Sequence, residues 1–570
     1  MAIDKEQQHH AAANADHNPE LPMEKETFSS MEYEKELDQV PDDQVPTSDV
    51  KIENRKLPAS LKYIMGNEIC ERFSFYGLKS ILSLYFTLFM GYSDDTATTI
   101  IHSFNFLAYA FPLLGAYLAD ARLGKFRTIL YFSLIYCVGG VFLSVSAIPG
   151  VTGSEPGHHS PWGIILGLGL IAVGTGGIKP VVSAFCGDQL GNDQKSLLQK
   201  VFQIFYWCIN LGSFCSTILT PLLRKYVGYW LAFGIPAILL IISTIIYVLG
   251  RKSYVRRPTT GSVLLDSVKI IGCGIREMFR SKRSGYDDRY YTNSWLDRAK
   301  VSHDSRMVDS VKAALKVIVV FVPMPFFWAL YDQTSSRWTQ TAEKMDRTVG
   351  GWTIEPDQIQ AVNPLLVMIL VPVFEYGIYR PLKRANINFS PLKRMSLGMW
   401  LAIATFVLAA IIEMKIDDQP EGTVSIFLQL PQYFLLTCAE ILISITGLEF
   451  AYSQAPRSMK SMIMSAWLLT VSIGNVIVIV VVESIKITPQ WKEYLVFASI
   501  MAVFTVVFMV IAYRYKPVDP SIYDHEEDES EKEANEMSEN YTKPEKEANQ
   551  TPSEQIPKNI PLDTSVDTSN

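Results

Sequence analysis

The chain has 570 residues, 48% of them hydrophobic and 19% charged, with a formal net charge of −7. Charge is thin in the middle and dense at both ends, a membrane distribution that argues against a soluble enzyme and against a nucleic-acid binder. The seven cysteines show neither a disulfide framework nor metal-ligand spacing, and no nucleophile–base pair or cofactor motif is visible.

Residues 1–56 read as a disordered acidic cytoplasmic tail. They lack an apolar run that could serve as a signal peptide, so the first span has to direct insertion. Beyond it, apolar runs of about twenty residues predict an all-α membrane protein of twelve spans. These are Leu61–Phe89, Thr98–Ala119, Thr128–Ile148, Trp162–Phe185, Val201–Leu223, Trp230–Gly250, Val311–Tyr331, Gln358–Tyr379, Met395–Met414, Ile426–Phe450, Met462–Val482 and Tyr494–Tyr513. Two six-helix halves, 57–250 and 311–516, flank a basic linker, 251–310, within which Val263–Phe279 fits either an amphipathic surface helix or an ordinary connector. Arg122–Arg127, Arg380–Arg394 and Arg457–Lys460 are basic, whereas Gly91–Ala97 and Pro149–Pro161 carry no Lys or Arg. That asymmetry places both termini in the cytoplasm. Arg224, Lys225, Arg337, Lys344 and Arg347 weaken it, because they fall in loops that should lie outside.

The first span carries the strongest signal. Glu68, Glu71 and Arg72 share one helical face, and each would cost about 2.5–3.5 kcal/mol at the centre of a lipid-facing helix. They therefore need a partner or a wet cavity. Glu68 and Arg72 can pair at i, i+4, Glu71 is a surplus carboxylate, and Lys79 lies near the same face. A surplus Glu in a low-dielectric cavity suits proton coupling better than a purely structural network. In the second span, His102 is either a packing residue or a point of proton entry, and Tyr109 lies two turns inward. The fourth span reads Gly174-Thr-Gly-Gly-Ile-Lys179-Pro180, where small residues permit close helix approach and the Lys needs an anion. No strand precedes this Gly-rich run and the P-loop order is absent, which argues against nucleotide binding.

Asn210, one turn from Tyr206, and Asn363, before Pro364, read equally as packing glue or as contacts to a ligand. Trp328 and Asp332 stand at i, i+4 in the seventh span. Glu440, Ser444 and Gly447 share a face of the tenth. Lys79 and Lys179 in one half, with Asp332 and Glu440 in the other, suggest pairing across a central cavity. Residues 517–570 read as a second disordered acidic cytoplasmic tail, and both tails offer Lys, Ser and Thr for regulatory modification.

These residues also carry a family resemblance. Glu68-Ile-Cys-Glu71-Arg72-Phe73-Ser-Phe75-Tyr76-Gly77 resembles the E-x-x-E-R-F-x-Y-Y-G signature of the proton-coupled oligopeptide transporters of the major facilitator superfamily. Gly115–Lys125, Gly174–Pro180, Phe202–Phe214 and Glu440–Pro456 resemble further family blocks, so the likeness spans Leu57 to Lys516. It implies two six-helix bundles around a cavity that opens alternately to each side, and proton-driven symport of di- and tripeptides with no cofactor other than the proton. By resemblance, Lys79 and Lys179 hold the peptide carboxylate, Glu440 the amino terminus, and Asn210 and Asn363 the backbone. Phe75, Tyr76, Tyr109 and Trp328 line side-chain pockets beside Ser444, Asp332 closes the outer side by bridging to Lys79 or Lys179, and Glu68, Glu71, Arg72 and His102 handle the proton. Phe75 departs from the Tyr of the motif, and Lys79 from the Arg of many members, trading a bidentate clamp for a point charge. The short Glu413–Val424 connection and the long tails resemble a fungal member, and the plasma membrane is the expected location. A small-anion transporter of the same superfamily, or a peptide-sensing receptor, are the rival readings. The first has little use for Glu440, the second for a full proton site.

Overall fold

The computed structural model describes residues 57–151, 161–190, 197–257, 259, 261–284, 294–454, 456 and 459–517. The expected tails, apart from residue 517, lie outside them. Among the described residues, ten helices are long and apolar enough to cross a membrane. In chain order with the two below, they are α2 (Asp94–Leu123), α3 (Lys125–Ser146), α4 (Trp162–Gly187), α5 (Val201–Tyr226), α6 (Tyr229–Lys252), α8 (Pro356–Arg384), α9 (Pro391–Asp417), α10 (Ile426–Ala451), α11 (Met462–Ile485) and α12 (Gln490–Arg514). An eleventh, α7, is a pair, Ser305–Val320 and Met324–Glu343, bent by 48°. The twelfth is α1, Ala59–Leu84, whose 26 residues suffice to span, although its charged residues keep it from standing out as apolar.

Several boundaries differ from the sequence expectation for local reasons. Helix α2 starts at Asp94 because the Ser93 side chain accepts from Thr96 N and two acids occupy the first turn, which together cap the helix. Helix α7 begins at Ser305, inside the expected linker, because Asp304 caps it by accepting from Met307 N, and Asp309, Lys312 and Lys316 dilute its hydropathy. At its other end, Arg337 is part of a helix, Arg337–Glu343, and 3% exposed. It is not a loop residue, because Glu493 and Asp95 neutralise it. Between α7 and α8, Gly350 and Gly351, both at positive φ, close a hairpin that pairs Val349 with Trp352.

The apolar core falls mainly into two clusters, one drawn from Leu61 to Tyr254 and the other from Ile270 to Phe508. Helix α1 packs on α5 and α6, and α3 on α4; in the second half α9 packs on α10 and α12, and α7 on α11. The halves meet where α2 faces α11 and α5 faces α8. One end of the molecule carries the Thr348–Thr353 hairpin, and the other the connector between α6 and α7.

The Gly-rich run of α4 explains how its polar residues reach their places. A Cβ on Gly174 would come within 2.5 Å of Tyr136 Cβ, one on Gly176 within 2.6 Å of Phe111 Cβ, and one on Gly177 within 2.2 Å of the Phe132 ring. Only glycine lets α4 approach α2 and α3 this closely, and that approach carries Thr175 to α1 and Lys179 against Phe75. Gly177→Val should therefore cost about 1–3 kcal/mol by overpacking. It should lower the melting temperature of the detergent-solubilised protein, whereas Gly169→Val, where an added Cβ meets nothing within 4 Å, should leave it unchanged.

Candidate functional site

Glu68, Glu71 and Arg72 are all buried on α1, with Glu71 1% exposed. Arg72 Nε lies 2.7 Å from Glu68 Oε1 and 2.8 Å from Glu71 Oε2, and the Thr175 hydroxyl donates to Glu71 Oε1 at 3.2 Å. One guanidinium thus serves two carboxylates, a surplus of one negative charge if both are ionised. Two turns on, Lys79 Nζ meets Asp332 Oδ1 of α7 at 2.9 Å, joining the halves.

That bond is the first link of a chain. Asn475 of α11 donates its Nδ2 to Asp332 Oδ2 at 2.7 Å, and its Oδ1 lies 2.7 Å from His102 Nδ1. With the amide oriented so, His102 carries its proton on Nδ1. Its Nε2 then accepts from the Ser336 hydroxyl at 3.0 Å. His102 is fully buried, and its contacts run to the opposite half.

Lys179 and Glu440 are arranged differently. Lys179 Nζ sits over the Phe75 ring at 4.0 Å and the Tyr109 ring at 3.8 Å and has no hydrogen-bond partner among the described residues. Asp332 therefore takes Lys79 and not Lys179 in this conformation. Glu440 accepts from Asn363 Nδ2 at 2.8 Å. Asn363 also donates to Thr437 Oγ1 at 3.1 Å and accepts from the Tyr331 hydroxyl at 3.3 Å. Among the described residues no ion pair reaches Glu440, so the expected pairing across the cavity forms for Lys79 with Asp332 alone. The backbone after Glu440 widens into a π-turn, Ile441–Ile445, which carries the half-buried Ser444.

The aromatic residues divide. Phe75 is fully buried, edge-on to Tyr76 at 5.4 Å, and forms the floor beneath Lys179 rather than an open wall. Tyr76 and Tyr109 are only partly buried. Trp328 packs edge-on against Tyr331 at 5.5 Å, with its Nε1 unpartnered. Asn210 turns back to the Tyr206 carbonyl of its own helix at 2.9 Å.

Sequence reasoning missed the groups that tie the hairpin end. Arg224 of α5 reaches Glu355 at 2.7 Å and Asp357 at 2.9 Å, and Lys225 reaches Glu355 at 2.8 Å. Arg337 joins Asp95 of α2 to Glu493 of α12, and Thr99 donates to Glu483 of α11 at 2.6 Å. The sequence offered little signal, because Arg224, Lys225, Asp357, Glu483 and Glu493 adjoin the ends of apolar spans, where charge is expected. Asn475 offered only a lone amide in an apolar run.

The clamp at Arg224 is open to test. Burial alone would raise the Glu355 carboxyl, but Lys225 and Arg224 hold it below the ordinary carboxylate range. A depressed folded value means that its stabilisation is complete above about pH 4.3 and lost only as pH falls through the lower, folded value. Acidification from pH 7.5 to about 5.5 should therefore leave the pairs of Glu355 with Arg224 and Lys225 intact. Arg224→Met, by contrast, leaves the fully buried Asp357 without its cation, at about 3–5 kcal/mol. It should raise labelling of the buried Ser83→Cys by a membrane-impermeant maleimide above that of the native cysteines.

With this geometry in view, the comparisons with known proteins are consistent. The POT family profile matches residues 126–496. Solute carrier family 15 member 1 of Homo sapiens is 32% identical over 83% of this chain and 95% of its own. The crystal structure of the POT family transporter PepTSo superimposes with a TM-score of 0.70 at 34% identity, covering 80% of this chain and 98% of that one. An auto-inhibited POT family peptide transporter gives 0.69 at 33% identity, over 81% and 98%.

Proposed function

Since the chain belongs to the POT family, we propose that its buried charges carry out proton-coupled uptake of di- and tripeptides by alternating access between two halves, 57–250 and 311–516. The observation that supports this most directly is the pair of charged groups without counter-ions: Lys179 in the first half and Glu440 in the second. An ammonium and a carboxylate that lack internal counter-ions among the described residues suit a zwitterion, the form that small peptides with free ends share. A small anion would use Lys179 but leave Glu440 without purpose.

In this reading the peptide carboxylate docks on Lys179 and draws Lys79 from Asp332, and the amino terminus docks on Glu440. Asn363, already bonded to Glu440, and Asn210 address the backbone, while Tyr76, Tyr109, Trp328 and Ser444 bound the side-chain space above Phe75. The proton settles on Glu71 or Glu68, cancelling the surplus charge around Arg72. Protonation of His102 makes Nε2 a donor and obliges the Ser336 hydroxyl to turn, while the Asn475 contact persists. The second event bears directly on contacts that join the halves.

The hairpin end is then the outer face of the plasma membrane. Its cations Arg224, Lys225 and Arg337 are neutralised by acids, whereas the opposite end carries Arg251, Lys252, Arg384 and Lys393. That accounts for three of the five apparent exceptions to the positive-inside pattern and supports the reading in which both termini are cytoplasmic.

In proteoliposomes, an inward proton gradient should drive accumulation of a labelled dipeptide. Glu71→Gln should abolish that accumulation while sparing peptide exchange; gradient-independent uptake by the unmodified protein would refute the reading. Glu440→Ala should raise KM for free-amine dipeptides about ten- to hundredfold, the worth of a charge-assisted contact. N-acetylated analogues should change little.

A further inference from the structure

The connector helix Val263–Ser284, whose role the transport reading leaves open, has three distinct sides. One is seated on the protein. Ser267, Ile270 and Cys273 are buried, and Ser267 Oγ lies 3.7 Å from Met459 Sδ at the start of the segment leading into α11. Gly274 leaves room for Trp295 and Leu296, whose side chains an added Cβ would meet at 3.1 Å. A second side, opposite the first, is an apolar stripe at helical spacing: Leu265, Val268, Ile275 and Phe279, with Val268 57% and Phe279 63% exposed. Gly272 lies in the middle of the stripe, and a Cβ there meets nothing within 4 Å. The third side is basic. Lys269, Arg276 and Arg280 follow at intervals of seven and four residues along one edge of the stripe, and their acidic partners Asp266 and Glu277 fall on the edge nearer the protein.

We propose that this helix is a surface anchor: its apolar stripe enters the bilayer interface at the connector end, and Lys269, Arg276 and Arg280 bind anionic phospholipid headgroups. The occupant follows from shape and charge. A single apolar row bordered by a basic row is the pattern of a helix lying in the interfacial plane, and the basic row complements an anionic leaflet. The helix joins α6 to α7, both of which terminate at the membrane surface on that side. Because its protein-facing side rests beside the entries of α7 and α11, lipid binding there bears on helices that line the contact between the halves.

The test uses the full-length chain carrying Gly272→Cys and Cys215→Ser, labelled with an environment-sensitive fluorophore and corrected for label on the remaining cysteines. In vesicles of equal parts phosphatidylcholine and phosphatidylserine, emission should shift to the blue, and brominated acyl chains should quench it. Lys269→Gln/Arg276→Gln/Arg280→Gln should reduce that quenching severalfold in the phosphatidylserine vesicles, while its residual quenching matches that of the parent in pure phosphatidylcholine. Val268→Glu/Phe279→Glu should abolish it in both. No quenching in the parent, quenching indifferent to phosphatidylserine, or protection that grows with protein density and so marks a second copy of the chain, would each overturn the proposal. None of these readouts requires transport, so the anchor and the transport reading fail separately.

Discussion

An ionised group that leaves water is costly unless a counter-charge meets it, and Arg72 is where that constraint is tightest. Its guanidinium is pinned between two carboxylates one helical turn apart, with the Thr175 hydroxyl as the next donor. Thr175 reaches α1 only because glycines on either side of it remove the bulk between α4 and its neighbours. The small residues of one helix and the charges of another are thus a single arrangement. Changing either alone leaves a buried charge uncompensated or a helix displaced.

The same constraint sorts the remaining polar groups into two kinds. Lys79, Asp332, Asn475 and His102 satisfy one another across the boundary between the halves, so they hold it closed. Lys179 and Glu440 are not satisfied by counter-ions among the described residues, and in the proposed reading an arriving zwitterion offsets that cost. In the proposed transport reading, closure and binding compete for shared groups: Lys79 cannot serve both Asp332 and an incoming carboxylate at full strength. A molecule built so responds to its cargo without requiring a long-range signal, since the ligand and the bolt meet at the same cation.

The elements most legible in the sequence are those where a charge violates an apolar run. Glu68, Glu71, Arg72, Lys179 and Glu440 announce themselves that way, and the spans follow from hydropathy. The hairpin-end contacts were harder to see because Arg224, Asp357 and Arg337 sit near predicted loop boundaries, where charge is expected and carries no penalty. Only packing shows that Arg337 is inside a helix. Asn475 was silent for a different reason: an amide in a membrane helix is common, and its importance comes from two partners on other helices. The pairing of Lys79, rather than Lys179, with Asp332 depends on helix rotation, which no spacing rule supplies.

The central claim is that the Lys79–Asp332 bond and the amide beside it keep the hairpin end shut until proton and peptide compete for them. Electron–electron resonance between spin labels at Tyr226 and Trp352, both exposed at that end, tests it with Cys215 replaced. At neutral pH the unmodified background should give one short distance, and Asp332→Asn should broaden the distribution and add a longer population. An identical short distance in both proteins would contradict the account.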